Sequence, residues 1–326
     1  MTFKCPPSLQ LETDAKRPKV SADHISAFSD TSSDVSDLED FSRPLNAPDS
    51  WDSETSNGPT TVGANEVTET TVRRLTVFLE KRALSNQEAQ NKFLDQSKRF
   101  MQSELELQET PEEMQVLAAN PELYPILAEQ TRPISLLLGL LAHENTDISL
   151  SVIDLLHELL ESSCLQEAGL DKVNQFLEVL FTEQLIQSLI WNISRLDETK
   201  KDEADGVHKT LGIVESLLQI RPDITVIMAN QSLFAWLLRR LQKRPVFDKN
   251  KLYVSELLSI SLQMDEANRL QLGEVDGIDI LLQQLSVYKR HDPGSQEEIE
   301  LELNLFDCPH PCSAHYILEI LISSIT

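Results

Sequence analysis

Glycine is scarce in this chain, 9 residues in 326. That argues against Gly-rich phosphate loops and against an all-β fold full of tight turns. The 4 cysteines show no tight paired spacing before the C-terminus, so they make no disulfide framework and point to a reducing compartment. Basic residues are outnumbered: 28 Lys+Arg stand against 53 Asp+Glu, a formal net charge of −25. Nucleic-acid binding needs a basic face, so no direct nucleic-acid contact is expected. Aromatics make up only 6%, too few for base-stacking platforms. The longest apolar stretch, Ile134–Leu141, is far shorter than the ~20 residues of a membrane span. Met1–Gln10 has no apolar leader core. The expectation is a soluble intracellular protein without a membrane partner.

What is present falls into two compositions. Residues 1–70 are crowded with Ser, Thr, Asp, Pro and Asn, and their apolar residues hold no helical or strand period. Such a segment buries too little surface to offset chain entropy, and reads as a disordered acidic tail. Lys16, Arg17, Pro18 and Lys19 form a compact basic cluster within it, the pattern of a localisation signal that importins read. Thr31 and Ser36 each have a carboxylate three positions on, Asp34 and Glu39. Acid-directed kinases read that spacing, so both are candidate phosphorylation sites.

From about Thr71 the pattern turns helical. Val72, Leu75 and Leu79 begin it, and Ile148, Val152, Leu155 and Leu159 continue it. Leu185, Leu189, Ile193 and Leu196, then Val207, Leu211, Val214 and Leu218, do the same. Turn signals fall between the stripes at Asn120-Pro121, Arg132-Pro133, Arg221-Pro222, Arg244-Pro245 and Asp292-Pro293-Gly294. The helices recur as a unit, an apolar helix followed by a longer amphipathic one. The apolar members begin near Ile134, Leu185, Phe234 and Ile278, spaced 51, 49 and 44 residues apart. Their partners begin near Asp147, Asp202, Lys249 and Ser295. This period predicts an all-α armadillo/HEAT-like right-handed α-solenoid over 71–307, with 308–326 as a divergent tail. Gly273 and Gly277 are placed at the sharp turn between the short first and second helices of the last unit.

Longer strings carry a resemblance. Phe78-Leu-Glu-Lys-Arg82, Asn86-Gln-Glu-Ala-Gln-Asn-Lys-Phe93, Trp236-Leu-Leu-Arg-Arg-Leu241 and Asp276-Gly-Ile-Asp-Ile-Leu-Leu-Gln-Gln-Leu285 resemble the beta-catenin-like protein family. The resemblance covers about 71–307 and implies a nuclear, spliceosome-associated armadillo protein. It implies a component of a nineteen-type complex that binds basic localisation-type segments of splicing factors. The basic cluster at Lys16–Lys19 sits where that family carries its nuclear localisation signal. The match stops near Asp307, and the C-terminal sequence departs from the family pattern.

No nucleophile elbow, HExxH or paired acid–base carboxylates stand out, so no enzyme and no cofactor are expected. Cys308, His310, Cys312 and His315 could ligate zinc in principle, but two prolines and an unusual spacing make this an ordinary terminus. His143, His157 and His208 read as inter-helix histidines. Asp197, Glu198, Asp202, Glu203 and Asp205 crowd one loop and form the candidate acidic surface for a basic partner. Arg239, Arg240, Lys243, Arg244, Lys249 and Lys251 form a basic stretch beyond it. The sequence thus predicts a noncatalytic nuclear scaffold. An import adaptor would need a repeating Trp/Asn ladder, and Trp191 and Trp236 stand isolated. A catenin-like signalling adaptor would predict a basic groove. Self-association is compatible with the sequence.

Overall fold

The computed structural model describes residues 67–93, 97–161, 163, 165, 169–221, 233–243, 247–289 and 292–308. All belong to one unit, Gly63–Thr326. The basic cluster Lys16–Lys19, Thr31 and Ser36 lie outside the described residues, as do His310, Cys312 and His315.

Among the described residues the regular structure is helical throughout, without a strand. Thirteen α-helices follow in order: α1 (Glu69–Lys92), α2 (Met101–Met114), α3 (Tyr124–Ala128), α4 (Thr131–Leu140), α5 (Thr146–Leu159), α6 (Leu170–Thr182) and α7 (Leu185–Arg195). Then come α8 (Lys201–Ile220), α9 (Leu233–Lys243), α10 (Lys249–Met264), α11 (Glu266–Glu274), α12 (Gly277–Leu285) and α13 (Gln296–Asp307).

Their starts have local causes. The side chain of Asn145 accepts from the Asp147 N–H at 3.0 Å, Asp248 from Lys251 at 2.9 Å, Asp265 from Ala267 at 3.0 Å and Ser295 from Glu298 at 3.2 Å. Each satisfies a donor that the first helical turn leaves unpaired.

The periodic units appear as helix pairs. In α4/α5, α7/α8, α9/α10 and α12/α13 a helix of 10, 11, 11 or 9 residues precedes one of 14, 20, 16 or 12. The longer partners pack in succession, α2 on α5, α5 on α8, α8 on α10 and α10 on α13. The shorter ones form a second row, α4 on α7, α7 on α9 and α9 on α12. Nearest-neighbour stacking of this kind is the armadillo architecture. The stripes read from the sequence are the buried ones: Ile148, Val152, Leu155, Val207, Leu211 and Leu185 are all 0% exposed. Each contributes about 1.5–3 kcal/mol of burial.

The sharp turn of the last unit is made differently from the sequence expectation. Gly273 is helical within α11, and the left-handed residue is Asp276, φ 55°. Gln184 occupies the matching turn between α6 and α7, φ 63°. A short polar side chain tolerates this region, which explains Asp276. Gly277 serves close approach instead. A Cβ there would lie 2.3 Å from Leu272 Cδ1 and 2.9 Å from the Leu272 carbonyl oxygen.

Candidate functional site

The acid-rich loop between α7 and α8 divides into inward and outward carboxylates. Asp197 accepts from the Thr199 N–H at 3.1 Å and from its hydroxyl at 2.8 Å. Glu203 is buried and accepts from the Asp197 N–H at 2.7 Å and from Lys200 Nζ at 2.8 Å. The backbone N–H, then Lys200, hold its carboxyl below the usual range. Glu198 takes the Arg240 Nε at 2.6 Å and Nη2 at 2.7 Å, and accepts from Asn250 Nδ2 at 3.1 Å. Arg240 also donates to Asp248 at 2.8 Å. Burial opposes the Arg240 charge, but Glu198 and Asp248 outweigh it and raise its pKa. Only Asp202 and Asp205 of the five are exposed to solvent. Asp205 lines a shallow cavity of about 280 Å³ with Glu198, His208, Asp248 and Asn250.

The basic stretch is likewise split. Arg240 is buried, Lys251 is buried with Nζ donating to Gln284 at 2.6 Å, and Arg239 is exposed. Arg244 lies outside the described residues.

The stacking of long helices assembles a second acidic feature that no single stretch of sequence displays. Tyr253 on α10 donates its hydroxyl to Glu215 on α8. The His208 and Tyr253 rings lie 5.1 Å apart, and His208 Nδ1 is 3.1 Å from Asn250 Oδ1. Glu256, one turn beyond Tyr253, is pushed above the usual carboxylate range by burial, then by Glu215 and Glu300. Burial, then the bond to Glu215, pushes the Tyr253 phenol up as well. Among the described residues, Glu215, Glu256 and Glu300 make no ion pair. The three thus form a row across α8, α10 and α13 whose mutual repulsion is unrelieved within the chain. They are 41 and 44 residues apart, close to the array period. That recurrence is the sequence signal that would have found them.

The three histidines join helices. His143 lies 3.2 Å from Asn86 Oδ1 and 3.3 Å from Gln90 Nε2, and its Nδ1 accepts from the Asn145 N–H at 3.0 Å. His157 on α5 faces Gly212 on α8, where a Cβ would lie 3.1 Å from its Nε2. Trp191 is exposed beside Arg195, 5.3 Å from guanidinium to ring, while Trp236 is buried.

Against known proteins, residues 47–313 match the family model described as "Catenin-beta-like, Arm-motif containing nuclear". The chain belongs to this catenin-beta-like family. It is 47% identical over 244 residues to Beta-catenin-like protein 1 of Homo sapiens, covering 75% of this chain and 43% of that protein. The Rattus norvegicus protein of the same name is 46% identical over the same shares. The Beta-catenin-like protein 1 homolog of Schizosaccharomyces pombe is 33% identical over 244 residues, covering 74% and 42%. The chain thus spans less than half the length of these curated relatives. The family is a nuclear Arm-motif family and not an enzyme class, and the helix stacking agrees with its description. No described helix is long and apolar enough to cross a membrane.

Proposed function

We propose that this catenin-beta-like chain is a noncatalytic nuclear scaffold that holds basic segments of splicing-complex proteins along the Glu215–Glu256–Glu300 row. The observation that carries the reading is the unrelieved repulsion at Glu256, flanked by carboxylates on both neighbouring helices. A Lys or Arg from a partner converts that repulsion into charge-assisted hydrogen bonds. Exposed Asp202 and Asp205 add negative potential at the start of α8. The net charge of −25 steers basic segments toward the protein at long range. Import would use Lys16–Lys19 on an importin, and assembly would occur in a spliceosome-associated, nineteen-type complex.

The test is fluorescence anisotropy with a labelled decapeptide built on Lys-Arg-Pro-Lys. The variant E215Q/E256Q/E300Q is expected to bind at least about tenfold more weakly at low salt. Wild-type affinity falls as pH drops and the carboxylates protonate, starting above the ordinary Glu range because the Glu256 pKa is raised. The triple variant lacks that dependence. Unchanged affinity in the variant sinks the acidic-row reading. Pull-downs from nuclear extract with both proteins, read by mass spectrometry, test the partner class: splicing factors should be recovered by wild type and lost from the variant.

A further inference from the structure

A second surface lies on the short-helix row, between α7 and α9, and does not depend on the acidic row. A cavity of about 290 Å³ opens there, lined by Ile193, Leu196, Trp236, Arg239, Arg240 and the edge of Glu198. One water occupies ~30 Å³ of liquid, so the space accepts a whole side chain.

Its polar groups are unevenly satisfied. Arg240 is 4% exposed, and Glu198 and Asp248 take its Nε and Nη2. Its Nη1 is buried and has no hydrogen-bond partner. A guanidinium N–H left without an acceptor in a buried position is costly, and an incoming oxygen removes the cost. Arg239, the next residue, is exposed at the same cavity and makes no ion pair among the described residues. The apolar wall of Ile193, Leu196 and Trp236 suits a methylene stem. An unpaired donor at the floor, a free cation beside it and an apolar wall together match an acid head on a short apolar stalk.

We infer that this cleft is a binding site for a carboxylate-bearing side chain, of glutamate size, presented by a partner polypeptide. The carboxylate meets Arg239 and the free Nη1 of Arg240, while its stem lies against Trp236. The molecule then carries two recognition surfaces of opposite preference, one on each helix row.

The experiment uses the full chain labelled with ¹⁵N. It has three tryptophans, Trp51, Trp191 and Trp236, and the Trp236→Phe variant assigns the indole N–H signal at the cleft. The probes are the blocked peptides Ac-Leu-Glu-Leu-amide and Ac-Leu-Gln-Leu-amide. The Glu peptide is expected to shift the Trp236 signal and leave Trp191 in place, and the Gln peptide to bind about tenfold more weakly. Arg239→Ala should weaken the Glu peptide by a similar factor while unfolding at the wild-type temperature, since Arg239 is exposed. Ser194→Phe, at the cleft margin, should block it sterically. An unmoved Trp236 signal, equal response to the two peptides, or wild-type binding in both variants overturns the proposal.

Discussion

Single residues in this array act according to the gap they occupy. Gly277 and Gly139 both lie in helices, yet their surroundings differ. A Cβ at Gly277 runs into Leu272, including its carbonyl oxygen at 2.9 Å, whereas nothing lies within 4 Å of one at Gly139. Backbone cannot swing aside as a side-chain end can, so Gly277→Ala should lose about 1–3 kcal/mol. Gly139→Ala should gain about 0.4–1 kcal/mol, because alanine restricts the unfolded chain and favours the helix. Urea denaturation of the two variants should shift the midpoint in opposite directions. The same reasoning separates the loop carboxylates. Glu198 and Glu203 are committed to Arg240, Lys200 and a backbone N–H, while Asp202 and Asp205 point outward. Nothing in the run of acids distinguishes them, because the distinction depends on Arg240 arriving from a helix some forty residues on.

Between elements, polar ties set the register that apolar packing leaves loose. Tyr124 on α3 packs its ring 5.0 Å from Phe176 on α6 and donates to the Leu159 carbonyl at 2.9 Å, so three helices meet at one side chain. His143 does the same for α1 and the start of α5 through Asn86, Gln90 and Asn145. Burial holds its pKa below 6.5, with Arg195 acting in the same direction and Glu104, the Asn145 N–H and Glu144 opposing. A depressed histidine pKa means the fold prefers the neutral ring. Its stabilising contribution is present above pH 6.5 and is lost as pH falls from there through the lower folded value. Urea midpoints on either side of pH 6.5 should therefore drop more for wild type than for His143→Gln, and equal slopes would remove this histidine from the acid sensitivity. The helices and their buried stripes were legible from apolar spacing, as were the caps at Asn145 and Ser295. The left-handed turns at Gln184 and Asp276 were not, because neither residue is the glycine that normally marks such a turn.

On the scale of the whole molecule, charge and repetition dominate. A net charge of −25 gives the chain a long-range field that favours basic partners and is screened within about 8–10 Å at physiological salt. The basic cluster at Lys16, Arg17 and Lys19 runs against that field, as an import signal must. Replacing the three with alanine should move a tagged protein toward the cytoplasm, scored by fluorescence microscopy; undiminished nuclear accumulation would remove the cluster from the account. The sequence by itself determined the helical class, the repeating unit and the family, because apolar periodicity and recurrence at 44–51 residues are local properties of the text. Tertiary structure alone decided which charges meet. The Glu215–Glu256–Glu300 row and the Arg239–Arg240 cleft each join residues from successive repeats, and only helix stacking brings those within reach of one another. A charge in the sequence has a sign, but its partner, its burial and hence its pKa are fixed by what the neighbouring repeat places against it.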